Sequence, residues 1–74
     1  RVREMAAWAL ADARPSTEGT EALAAALRDG SASVRATAAW ALGARGDEGA
    51  VPALVAALGD SSATVRQRAA WAIG

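Results

Sequence analysis

Val34-Arg35-Ala36-Thr37-Ala38-Ala39-Trp40-Ala41-Leu42 is one of three copies of the pattern V-R-x-x-A-A-W-A-[L/I] in a chain of 74 residues. It follows Val2-Arg3-Glu4-Met5-Ala6-Ala7-Trp8-Ala9-Leu10 by 32 residues and precedes Val65-Arg66-Gln67-Arg68-Ala69-Ala70-Trp71-Ala72-Ile73 by 31. Self-similarity at such a period marks a solenoid, in which each repeat buries its apolar face only against its neighbours. A second segment alternates with the first. Glu21-Ala22-Leu23-Ala24-Ala25-Ala26-Leu27 aligns with Pro52-Ala53-Leu54-Val55-Ala56-Ala57-Leu58. Leu23/Leu27 and Leu54/Leu58 sit at i, i+4 on one helix face, and Val51 adds a turn in the second copy. The order B, A, B, A, B predicts helices over 1–11, 18–28, 33–44, 48–58 and 63–74. The chain then reads as one array over 1–74: a B helix at 1–11, a repeat at 18–44 and a repeat at 48–74.

The stops between these segments are legible. Asp29-Gly30 and Gly59-Asp60 end the A helices, and Ser31, Ser33, Ser61, Ser62 and Thr64 are N-cap candidates for the B helices that follow. Gly43 and Gly46 are expected to close the middle B helix. Asp47 then caps the next A helix, with Glu48 in its first turn and Pro52 soon after. The connection at 11–20 is longer and lacks the Gly-Asp pair, so Ser16 or Thr17 takes the capping role there.

Composition removes whole classes of function. Eight Arg balance eight acids, so bulk charge predicts no general polyanion-binding face. His, Cys, Lys and Tyr are missing, which leaves no base to activate a hydroxyl and no thiolate or imidazole ligand. The seven acids from Asp12 onward fall mostly in caps and turns over several loops, a poor basis for a carboxylate metal site. No phosphate-binding Gly loop is present. Neither a catalytic residue, a cofactor site nor a metal site is therefore expected. No apolar run approaches the ~18 residues of a membrane helix, so membrane insertion is not expected. The chain starts at Arg1, inside the repeat, and reads as an excerpt of a longer array.

Helical geometry assigns faces. At about 100° per residue, with Val34 at zero, Ala38 and Ala41 fall within about 40° and Leu42 at about 80°. Those four form the inward stripe. Trp40 falls at about 240°, beside Ser33, Ala36, Thr37 and Ala44, the least apolar side of the helix. The same holds for Trp8 and Trp71. With helices stacked about 8–10 Å apart, the three indoles form a row. Each indole can pack on a neighbouring repeat, serve as contact surface, or pack along one edge and stay wet on the other. Arg3, Arg35 and Arg66 lie on the border of the stripe, at about 100°. Asp29 and Asp60 each precede an Arg by six residues and can accept from the Arg of the following B helix or of its neighbour. Phosphate capture by an Arg row is the competing reading, and a supplied Asp per Arg disfavours it.

The segment Ala50 to Asp60, A-V-P-A-L-V-A-A-L-G-D, four residues and then V-R-x-x-A-A-W-A-I-G from Val65 to Gly74, resembles HEAT repeats of the short phycobilisome-lyase-like form. The turn from Gly43 to Asp47 fits the same pattern, and the Asp29/Arg35 and Asp60/Arg66 pairs resemble the family's Asp-to-Arg ladder. The resemblance implies an all-α, right-handed solenoid of antiparallel helix pairs, with about two and a half repeats here. It implies that A helices lie on the convex side and B helices on the concave side. Trp8, Trp40 and Trp71 would then face the groove, with the non-repeating Glu4-Met5, Ala36-Thr37 and Gln67-Arg68. Family members carry unrelated activities, so no reaction follows from the fold.

The resulting expectation is a non-catalytic scaffold that binds a protein or peptide on the B-helix face through Trp8, Trp40, Trp71, Glu4, Met5, Thr37, Gln67 and Arg68. Spacer repeats within a larger parent protein are the alternative. Nucleic-acid binding, for which stacking on Trp would suit a single strand, is disfavoured by the zero net charge. Neither end carries the charged outer face of a capping repeat, so self-association through the ends is also expected.

Overall fold

A computed structural model of the chain describes residues 3–4, 17–46 and 48–74. Trp8, Met5, the connection at 11–16 and the Asp47 cap lie outside the described residues. The described residues are helical and contain no strand. Arg3 and Glu4 belong to the first B segment. Helix α1 spans Thr17–Ala26, α2 Ala32–Arg45, α3 Val51–Ala57 and α4 Ala63–Ile73, with a 3₁₀ turn at Glu48–Ala50 before α3. Helices α1 and α3 are the A elements, and α2 and α4 the B elements.

Local chemistry sets these boundaries. Of the candidate caps, Ser31 and Ser62 take the position. Both adopt extended backbone, and each hydroxyl oxygen accepts from the amide three residues on, Val34 and Val65, at 3.4 Å. Pro52 occupies the first turn of α3, where its missing N–H has no helical partner to lose. The 3₁₀ turn leads into it. Gly46 ends α2 in the left-handed region at φ 68°, and its N–H donates to the carbonyls of Leu42 and Gly43.

Gly43 offers its carbonyl to the Gly46 cap but, contrary to the sequence expectation, is not itself a stop. It lies inside the helix and serves packing. A Cβ there would stand 2.5 Å from Cζ3 of Trp71 and 2.8 and 2.9 Å from Cβ and Cα of Ala72. The absent side chain is what lets α4 and its indole approach α2.

Packing joins α1 to α2, α3 to α4, and α2 to α4. The inward stripe is Val34, Ala38, Ala41 and Leu42, all fully buried. Leu23 and Leu27 of α1, Leu54 of α3 and Val65 of α4 supply the remaining bulk, with Ala39, Ala50, Ala57 and Ala69 between them. Ala36 corrects the angular reading, because it is buried rather than grouped with the polar side. A methyl fits under the neighbouring helix where a larger side chain would not.

Gly43→Ala should therefore lower stability by about 1–3 kcal/mol, because the new methyl meets backbone as well as side chain. Gly30→Ala, with nothing within 4 Å of its added Cβ, should change stability by less than about 0.5 kcal/mol. Paired urea melts of the two variants check the difference.

Candidate functional site

The two A-to-B turns are built identically, and they hold the B helices in register. In the first, Asp29 Oδ1 accepts from the Ser31 amide at 2.9 Å and its carbonyl accepts from Arg35 Nη1 at 2.9 Å. In the second, Asp60 Oδ1 accepts from the Ser62 amide at 2.9 Å and its carbonyl accepts from Arg66 Nη1 at 2.7 Å. The Arg of each B helix thus braces its own turn through a main-chain oxygen. Its charge partner lies one repeat further on. Arg3 Nη1 donates to Asp29 Oδ2 at 2.6 Å, and Arg35 holds Asp60 with two bonds, Nε to Oδ2 at 2.9 Å and Nη2 to Oδ1 at 3.2 Å. Of the two partners allowed from sequence, the neighbouring repeat's Arg takes the carboxylate and the repeat's own Arg takes the carbonyl.

Arg35 and Asp60 are mostly shielded, whereas Arg3 is open to water. The Arg35 hydrogen bonds hold the Asp60 carboxyl below its usual value of 3.8, helped by the Ser62 amide and, to a lesser extent, by the charges of Arg35 and Arg66, against the opposing effect of desolvation. With both ends of its guanidinium engaged, Arg35 is not free to capture a phosphate.

The non-repeating positions meet at the start of the B helices. A cleft of about 310 Å³ crosses three successive B elements and is lined by Glu4, then Ala32, Ser33, Ala36 and Thr37 of α2, then Ser62, Thr64 and Arg68 at α4. Glu4, Thr37 and Arg68 thus share one site. Gln67 is exposed on α4 but does not line the cleft. The indoles sit elsewhere. Trp40 is half-buried and packed against the core, and Trp71, 57% exposed, reaches Gly43 near the other end of α2.

Several residues escaped the sequence reading. Ser62 and Thr64 were legible only as caps, and Ser33 as a cap candidate beside Trp40 on the polar side of its helix; all three line the cleft. Arg45 is a buried cation at the end of α2 whose guanidinium lies over Gly19 of α1; a Cβ at Gly19 would stand 2.7 Å from Nη2. The small residue opposite a long one was the only available signal. Large apolar side chains also remain open on the outer face of the last helix pair. Leu58 and Ile73 are 41% and 39% exposed, while Leu27 and Leu42 at the same repeat positions are 7% and 1% exposed.

Among the described residues, no group of three acidic or sulfur or imidazole side chains is placed to hold a metal ion. No described helix is long and apolar enough to cross a membrane. The family profile of HEAT repeats matches residues 1–74. The chain belongs to the HEAT-repeat family. HEAT repeats generally mediate protein–protein interaction or act as scaffolds. A search of curated proteins found no match.

The linkage of Asp60 to folding has a definite sign. Its folded pKa lies below the unfolded one, so its stabilisation is complete above about pH 4 and is lost as pH falls through the folded value. Urea midpoints taken from neutral pH down to about pH 2.5 should fall more steeply for the native chain than for Asp60→Asn. In double-mutant cycles Arg35→Ala should couple to Asp60→Ala. It should be additive with Asp29→Ala within about 0.5 kcal/mol, because that contact is to main chain.

Proposed function

We propose that this HEAT-repeat chain is a non-catalytic binding module that holds a protein or peptide partner on its B-helix face. The observation that carries the reading is the cleft across three B elements, lined by Glu4, Ala36, Thr37 and Arg68. Contact of α2 with α4, each B helix also meeting its own A helix, supports helix pairs stacked as a solenoid. Its right-handed sense and the concave placement of the B helices are what the family resemblance implies. The turn from Gly43 and the Asp-Arg spacing favour the phycobilisome-lyase-like form. Absence of His, Cys, Lys and Tyr supports a non-catalytic role. The indoles would flank the cleft rather than line it. Trp71 adds an apolar edge beside a polar groove, the mixed character suited to a protein partner.

A random-peptide display selection against the intact chain tests this. Selected peptides should lose at least about tenfold in affinity on a Ser33→Arg/Thr37→Arg variant that fills the cleft. They should bind Val55→Arg, altered on α3, as they bind the native chain. Helical circular dichroism of both variants controls for folding. Peptides that bind the filled cleft unchanged would overturn the assignment.

The exposed Val51, Val55, Leu58 and Ile73 favour a second contact, between copies of the chain, through the outer face of the last helix pair. Sedimentation velocity should show concentration-dependent association at micromolar levels, reduced by Leu58→Glu. A monomer at every concentration would refute it.

A further inference from the structure

The cleft has opposite charges at its two ends. Glu4 stands on the first B element and Arg68 on the third, with hydroxyls and methyls between them. Of the neighbouring charges, Arg3 and Arg35 hold Asp29 and Asp60, and Arg66 is held by the Asp60 carbonyl and does not line the cleft. Glu4 and Arg68 have no ion pair with any described residue. Glu4 is half-buried and Arg68 exposed, so both can meet a ligand without breaking an internal contact.

We propose that the cleft takes an extended peptide segment bearing one cationic and one acidic side chain about four or six residues apart, an even spacing that puts both on one face of the segment. This rests on the reading of the B-helix face as the binding face, and it adds the chemistry of the partner. The spacing follows from geometry. Two steps between stacked helices span about 16–20 Å, side chains lean inward over part of that, and an extended chain advances about 3.3 Å per residue. The cation of the peptide lies over Glu4 and its carboxylate over Arg68. Between them the peptide side chains are small, because the buried Ala36 forms the floor and leaves no apolar pocket. Hydroxyls serve the peptide backbone. Thr37 Oγ1 donates to the Ser33 carbonyl at 2.9 Å, which leaves its lone pairs for a peptide N–H. Ser62 Oγ accepts from the Val65 amide, which leaves its O–H for a peptide carbonyl.

Fluorescence anisotropy with the full chain and labelled synthetic peptides tests the charge pattern. One probe carries a lysine and a glutamate separated by three Ser/Ala residues, so that both side chains fall on one face of the extended chain. Others replace both charges with serine, both with lysine, or both with glutamate. The lysine/glutamate probe should bind about fivefold or more tighter than the serine probe at low salt, and the advantage should shrink in high salt. Arg68→Glu should switch preference to the two-lysine probe, and Glu4→Arg to the two-glutamate probe. Neither site is in the core, and unchanged helical circular dichroism confirms the fold. Equal affinity for all four probes, or variants that do not switch preference, would overturn the proposal. Display-selected peptides that require the cleft but lack the opposite charges would overturn this pattern while leaving the binding face intact. Selected peptides indifferent to the filled cleft would remove the face itself.

Discussion

The guanidinium of Arg35 fixes the relation between one repeat and the next. One of its edges donates to the Asp29 carbonyl and the others to the Asp60 carboxylate, so a single side chain ties two successive turns together. Its planar fork is suited to this task, and a lysine at the position could not make the same set of bonds. Each Asp is held in turn by the amide two residues ahead, which also sets the capping serine. Register of the B helices thus depends on a polar network at one end of each helix. The cleft lies at that same end, so the geometry of its walls follows from the bracing of the turns.

At the other end the B helices are held by close approach. Alanine supplies much of the interface between them, and its small side chain carries little transfer energy. What alanine gives instead is short distance, with dispersion contacts between helices that nearly touch. Gly43 takes this furthest, since the Trp71 ring and Ala72 occupy the space its side chain would need. The same ring covers glycine with one edge and leaves more than half of its surface to water. Packing and exposure therefore coexist in one indole.

Periodicity made the helices legible, because 3.6-residue geometry acts within a single segment. Rotation about the axis put Val34, Ala38, Ala41 and Leu42 inward without reference to any neighbour. What it could not give was the neighbour itself. Ala36 is buried by a second helix, not by its own position on the wheel. Gly43 looks like a stop in isolation and becomes a contact only when Trp71 arrives from 28 residues away. The carboxylate of Asp60 could reach Arg66 or Arg35 by sequence spacing alone, and the choice between them is made by the stacking of repeats. The cleft was half visible: Glu4, Thr37 and Arg68 stood out as non-repeating, while Ser62 and Thr64 were hidden behind their capping chemistry. Gln67 shows the converse, a non-repeating position that the stacking turns away from the site.

The division of charge along the B elements bears on what such a surface can recognise. Arg3 and Arg35 are spent on internal carboxylates, and Arg66 is held by a main-chain carbonyl. The charges that line the cleft, Glu4 and Arg68, are ones that do not repeat. Near-identical repeats can gain specificity only where they differ, and here they differ by a carboxylate at one end of a groove and a guanidinium at the other. Opposed charges on an otherwise small and hydroxyl-rich surface give direction and spacing more than raw affinity. In the binding role proposed above, affinity would rest on the number of repeats engaged and on apolar edges such as Trp71, with recognition and strength in different parts of one face.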